Sequence, residues 1–551
     1  MLKFTTRRYP YRRDESQKQL GDDLSHFETL SASTEFDTNG KTHRLVLGID
    51  SEPAGRQMTQ EEIDQLQDPF AQIVLSMDRP SLSLRSLLAQ FDLYNDTDIG
   101  LPEQNVFMIA EGGLIDWNDD TSDLDRGLRV VVTRSTQNDT RIMISTTYPF
   151  EEEGDGAFLQ VIGWDDSFGV FNYYERRVGR WFWAGNSWHA LNEPTRGRGP
   201  FDSHINGSVV MKELRDPWIH WHSQAQSIPF ESFGPDNPLR YDTLLQNRSN
   251  AENLELSVIV PLIERWTNRR LDKQLSKGNK ITGVIHLMRQ ILSSTSFNLV
   301  SSQQPSSLIN NDSLVPIPTE LFIDKEGLFD TLDILPDIGV IKFSGENYKE
   351  IMHKYNVSLK DKSQQFQKQG DAFFPFITPC RAFEDTVILR EMISRELISE
   401  QFAAVMLMID FPNPIGSIKR ASLMKYVPDV VDMNLNNPYP IQQAILKSID
   451  ASLNLLPASD IAFQVIEDMK LTDWREVFSL RITDYLRNVQ LKAGTLSGLD
   501  DYFQLIESRR RLFKKKPLSE FDLTLPSSSI STSVKRFTMH ENGNISEITS
   551  Q

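Results

Sequence analysis

Four histidines are the residues of this chain best placed to do chemistry. His189, His204, His220 and His222 lie between positions 189 and 222, in a 551-residue chain that holds nine histidines. Imidazole is the commonest metal ligand, and its ordinary pKa lies near neutrality. Six of the nine tryptophans, Trp164, Trp181, Trp183, Trp188, Trp218 and Trp221, crowd the same region. Tryptophan rings make a dry, rigid wall. In Pro217-Trp218-Ile219-His220-Trp221-His222-Ser223, residues two apart share one face of an extended chain. His220 and His222 would then sit ~6–7 Å apart, near enough to converge on one metal with bonds of about 2.0–2.1 Å. His189 and His204 are the candidates to complete the set, and Glu175 and Asp202 supply carboxylates.

Two histidines and a carboxylate with open positions suit non-haem Fe(II), whereas three histidines and a water suit zinc or copper. Asp202 precedes His204, so the order is not the His-x-Asp of oxoglutarate-dependent oxygenases, and no His-Glu-x-x-His is present. The expectation is a metal-dependent oxidoreductase, with Fe(II) as the metal, acting on a small apolar or aromatic molecule. Trp183, Trp188 and Trp221 would offer ring faces to that substrate. Arg196 and Arg198, in a glycine-containing loop, would fork onto an anionic group. Two other readings compete. In one the protein is a non-catalytic interaction or scaffold protein, and its histidines satisfy buried backbone groups. In the other, His220 or His222 pairs with Glu175 or Asp202 for metal-independent acid–base work.

Composition excludes several classes. A net charge of −18 opposes broad nucleic-acid binding, which needs a basic surface. The basic run Arg509, Arg510, Arg511, Lys514, Lys515 and Lys516 reads as a solvated helix end before Pro517. Cys380 is the sole cysteine, so neither an intrachain disulfide nor a cysteine zinc cluster can form. Its apolar neighbours make it a buried thiol, although Arg381 beside it could lower its pKa. His286, in an apolar helical run, reads as a packed histidine. No stretch reaches the ~18 consecutive apolar residues of a membrane helix. A reducing, cytoplasmic setting is the expectation. No phosphate-binding or dinucleotide fingerprint and no Gly-x-Ser-x-Gly elbow occurs, so no nucleotide cofactor is expected.

The elements that must position these residues point to an α+β fold, an antiparallel β-rich N-terminal half followed by a mostly helical C-terminal half. Residues 128–134 and 141–147 read as a hairpin, and 158–164, 169–175 and 180–185 as a meander with short turns. A short helix is expected around 207–214. Helical spacing marks 254–270, 281–292, 384–411 with a break near 398–399, 441–453, 459–470, 474–490 and 499–513. Expected boundaries are a flexible arm at 1–42, a β-rich His/Trp domain at 43–230, a helical segment and linker at 231–313, a helical domain at 314–516 and a disordered tail at 517–551.

Overall fold

The computed structural model describes residues 41–548 except 51–54, 149–158, 211–215, 276–277, 361–366, 370–375, 434–437, 515–527, 531–535 and the single positions 79, 81, 111, 125, 138, 178 and 219. The fold is α+β, with an eight-stranded sheet in the N-terminal half and helices in the C-terminal half. Two compact units result. One holds the described residues of 1–210 and 220–262, the other those of 211–219, 263–514 and 522–551. The boundary drawn at 230 therefore falls inside the first unit. The expected arm lies almost wholly outside the described residues.

The sheet comprises β1 (His43–Arg44), β2 (Arg56–Gln57), β3 (Glu103–Ala110), β4 (Leu128–Thr136), β5 (Asp139–Thr147), β6 (Leu159–Asp165), β7 (Val170–Arg177) and β8 (Arg180–Asn186). Its order is β2-β1-β8-β7-β6-β5-β4-β3. From β3 to β8 each strand pairs antiparallel with its neighbour in sequence, and the β4–β5, β6–β7 and β7–β8 connections are the short turns that such pairing permits. Gly179 sits in the β7–β8 turn at φ +69°, a geometry that glycine adopts without a Cβ penalty. β4 alternates poorly because both of its faces are covered: residues 130 to 135 are all buried.

One face of the sheet meets the helix α1 (Leu84–Asp92). Ser83 caps that helix by accepting from Ser86 N–H, and its buried residues Leu84, Leu87, Leu88 and Phe91 follow three- and four-residue spacing. They join Phe70, Ile73 and Val74 against Met108, Val130, Ile144, Val161, Tyr174 and Trp181. Each such side chain, fully buried, contributes about 1.5–3 kcal/mol before entropy is charged against it. The other face is crossed by the chain after β8. Phe201 stacks edge-on against Tyr173 with centroids 5.3 Å apart, and Tyr173 Oη donates to the Ser208 carbonyl at 3.3 Å. Of the helix expected around 207–214, residues 207–210 are not helical and 211–214 lie outside the described residues. Gly207 stands at φ +78°, and a Cβ there would meet the Ser187 carbonyl oxygen at 2.4 Å.

The second unit is helical, and its elements follow the sequence closely. They include α2 (Val260–Leu275), most of which lies in this unit, α3 (Val284–Leu292), α4 (Phe383–Ser394), α5 (Glu400–Met408), α6 (Trp474–Ala493) and α7 (Leu496–Lys514). The break expected near 398–399 is the start of α5, where Ser399 caps Phe402 N–H. Every residue from Phe402 to Ile409 is fully buried, which explains why that run looks apolar all round. Strands β9 (Phe297–Val300) and β10 (Thr378–Arg381) pair antiparallel within this unit. Part of the expected disordered tail is ordered: β11 (Arg536–Met539) and β12 (Ile545–Ile548) form a hairpin.

Candidate functional site

Residues 220–222 close the outer edge of β3. The Ala110 N–H donates to the His220 carbonyl at 3.0 Å and the His222 N–H to the Met108 carbonyl at 2.9 Å. Trp221 lies opposite Ile109 as an antiparallel bridge. Ser249 N–H extends the cover with a 2.7 Å bond to the Val106 carbonyl. The run is not the regular strand its alternation predicts. Trp218 and His220 have φ of 49° and 76°, a left-handed geometry that bulky residues take only where their surroundings impose it. His220 is 3% exposed, and burial, with the positive charge of Arg129, pushes its imidazole down to about 3. His222 is half-buried; its Nδ1 accepts Ile228 N–H at 3.2 Å, and burial followed by the Arg248 charge brings it to about 4. Both rings are neutral at pH 7.

The other two histidines belong to the opposite half of the sheet. His189 follows β8; its Nδ1 lies 3.1 Å from Asn186 N and 2.9 Å from Asn186 Oδ1. The ring stands edge-on to Trp183 at 5.5 Å, and burial, aided by Arg44, lowers its pKa. His204 rests over β7, its ring 5.2 Å from that of Tyr173 and its Nδ1 2.9 Å from the Ser208 carbonyl oxygen. Four strand intervals separate β7 from β3, and five separate β8 from it. At ~4.8 Å per interval these are roughly 19 and 24 Å along the sheet. Metal bonds are about 2 Å long, so His189 and His204 do not join His220 and His222 at one centre. Among the described residues, no three His, Cys, Asp or Glu side chains group closely enough to hold a metal ion.

The remaining expected site residues are likewise dispersed. Glu175, on β7, is buried and takes bonds from Gln160 Nε2 at 3.0 Å and Arg177 Nε at 2.7 Å. Asp202 is half-buried in the turn Gly199–Asp202. Trp183 is buried, donates from Nε1 to Asn172 Oδ1 at 3.0 Å and carries the Arg44 guanidinium 5.4 Å above its ring. Trp221 is fully buried, and Trp188 half-buried. The faces of Trp183 and Trp221 are thus covered by protein, not offered to a ligand. Arg196 is half-buried and Arg198 exposed. Their loop packs so tightly on Gly48 that a Cβ there would meet the Pro194 carbonyl oxygen at 1.8 Å.

Sequence reasoning missed a buried carboxylate at the centre of the sheet's helical face. Asp68 is 0% exposed. Its Oδ1 accepts the N–H groups of Phe70 and Ala71, both at 3.1 Å. Its Oδ2 accepts Asn172 Nδ2 at 2.9 Å and Tyr174 Oη at 2.5 Å. Burial outweighs these four donors and raises the carboxyl to about 6, with Asp165 adding repulsion. Asp165 is buried as well, and accepts Gln67 N–H and Phe168 N–H at 2.9 and 3.0 Å. The signal for this network was Gly163. A glycine inside a strand marks a close approach, and a Cβ there would sit 2.4 Å from Asp68 Oδ1.

A second buried polar centre lies in the helical unit. Arg381 Nε and Nη2 fork onto Asp324 Oδ2 at 2.7 and 2.5 Å, and Nη1 reaches the Gln290 carbonyl at 3.2 Å. Gln290 in turn accepts Arg270 Nη1 at 2.7 Å and donates to Asp385 Oδ1 at 3.0 Å. Burial, then the Glu384 charge, raises the Asp385 carboxyl well above its ordinary value. Arg381, the neighbouring cation that could lower the Cys380 pKa, is committed to Asp324, and the thiol is buried as its apolar neighbours predict. His286 is half-buried, not packed in the core. Arg509 opens the basic run but is itself buried, donating to the Pro412 carbonyl at 3.1 Å, so the run does not begin as a solvated helix end.

Among the described residues no helix is long and apolar enough to cross a membrane. In comparisons with protein-family models, curated proteins and solved structures, nothing matches the chain.

Proposed function

We propose that this protein is a non-catalytic interaction protein whose histidine–tryptophan segment is structural. One observation supports this reading above the others. The four histidines are divided between opposite halves of one sheet, where three of the rings bond local backbone or side chains and His220 is sealed by burial. Each serves the placement of its own stretch of chain. The carboxylates proposed as partners, Glu175 and Asp202, sit on β7 and in the loop after β8, on the His189 and His204 side of the sheet. Metal analysis of the purified full chain tests the reading. Folded protein with less than ~0.1 equivalent of iron, zinc or copper is the expected result. Stoichiometric metal that is lost on His220→Ala, with the fold retained, would overturn it, and iron as that metal would restore the Fe(II) oxidoreductase.

A further inference from the structure

The hairpin of β11 and β12 pairs with no other strand among the described residues. A lone two-stranded hairpin is marginal in water, so the surface beneath must hold it. That surface reads the hairpin's main chain with side chains. The Asn413 amide clamps one residue at two points, its Nδ2 donating to the Met539 carbonyl and its Oδ1 accepting Met539 N–H, both at 3.0 Å. Ser508 Oγ accepts Phe537 N–H at 3.0 Å, Tyr502 Oη donates to the Gly543 carbonyl at 3.2 Å, and Asn488 Nδ2 donates to the Glu541 carbonyl at 3.3 Å. Two hairpin side chains are read as closely. Met539 is 1% exposed, seated among the apolar residues of the helical unit. Glu541 takes a forked bond from Arg481 Nε and Nη2 at 2.9 and 2.5 Å.

Main-chain groups gripped by side chains, one apolar anchor and one forked ion pair are the means by which extended peptides are recognised. Within the same unit β9 and β10 are held differently, backbone to backbone. Ser529 N–H, ahead of the hairpin, donates to the Tyr355 carbonyl at 2.7 Å, so the connection between α7 and this anchored stretch is positions 515–527, with a reach of up to ~45 Å that does not dictate which copy's hairpin fills the surface. We propose that the surface formed by Asn413, Arg481, Asn488, Tyr502 and Ser508 is a peptide-recognition site for a Phe-x-Met-x-Glu segment leading into a glycine turn. Its resident is the chain's own hairpin, and its occupant in trans is the same hairpin of a second copy. The inference rests on the non-catalytic reading and gives it a partner class.

The test uses the full chain with a specific protease site introduced between 520 and 525. After cleavage, the protein is incubated with an excess of fluorescent synthetic peptide covering residues 528–551 and passed through gel filtration. The cut protein is expected to exchange its fragment for the labelled peptide. The uncut chain should resist, because a tether raises the local concentration to roughly millimolar. A Glu541→Lys peptide should bind at least tenfold more weakly to cut wild type, and Arg481→Glu protein should recover it. No exchange over several days would make the hairpin a fixed part of the fold. Loss of helical circular dichroism when the fragment leaves would do the same. So would equal binding of the Glu541→Lys peptide. None of these outcomes bears on metal content, so the two readings fail separately.

Discussion

His220 should make the stability of the sheet unit depend on acid in a way that one substitution removes. Its imidazole has an ordinary pKa near 6.5 and is pushed down to about 3 in the folded chain. The unfolded chain therefore takes up a proton as pH falls below 6.5, while the native chain does not. Stability is fully present above 6.5 and drains as pH falls toward 3. Each pH unit inside that window is worth about 1.4 kcal/mol, so between pH 7.5 and 5 the loss from His220 is roughly 2 kcal/mol. With a urea slope of about 2 kcal/mol/M, the midpoint should drop by ~1 M. Intrinsic fluorescence is a suitable probe, because six of the nine tryptophans, Trp117, Trp164, Trp181, Trp183, Trp188 and Trp221, lie in this unit. The comparison is the slope of midpoint against pH in wild type and in His220→Gln, whatever the absolute stabilities. If the variant keeps the full slope, a buried neutral imidazole is not what the acid acts on, and the reasoning fails.

Asp68 should act with the opposite sign. Its folded pKa is raised to about 6 from 3.8, so its ionisation weakens the fold as pH climbs between those values, and Asp68→Asn should flatten that part of the midpoint–pH curve. Gly163→Ala should cost about 2–4 kcal/mol in urea unfolding, since the new methyl collides with the Asp68 carboxylate; a loss below ~0.5 kcal/mol would contradict the packing described. Asp324→Ala should destabilise the helical unit by about 3–5 kcal/mol, because it leaves the Arg381 guanidinium buried without its carboxylate. Arg381→Met made on that background should recover part of the loss, read by thermal unfolding.

The meander was legible in the sequence because its pairings are local. Runs such as 128–134 and 141–147 need only a short turn to meet, and β-branched residues with turn signals specify that directly. Helices were legible for the same reason: Ser399 and the apolar spacing around it are neighbours in sequence. The site was not. His220 and His222 both belong to the cover of β3, but whether His189 and His204 approach them depends on strand order, which no local spacing encodes. Density of histidines along the chain became dispersion in space because the segment crosses the sheet from β8 to the outer edge of β3. Asp68 was invisible for a related reason. Its partners on β7 are about a hundred positions away, and only the strand glycine Gly163 hinted at a close approach.

The cover over β3 decides where this chain can be cut. A fragment ending near 210 would retain every strand of the sheet yet lose residues 220–222 and Ser249, leaving the amide of Ala110 and the carbonyls of Val106 and Met108 facing solvent. Such a bare margin is a template for strand addition, and the fragment would polymerise or precipitate at concentrations the intact chain tolerates. The end of the last sheet strand is thus not a folding boundary, and expression of the β-rich half alone needs the chain through about 262.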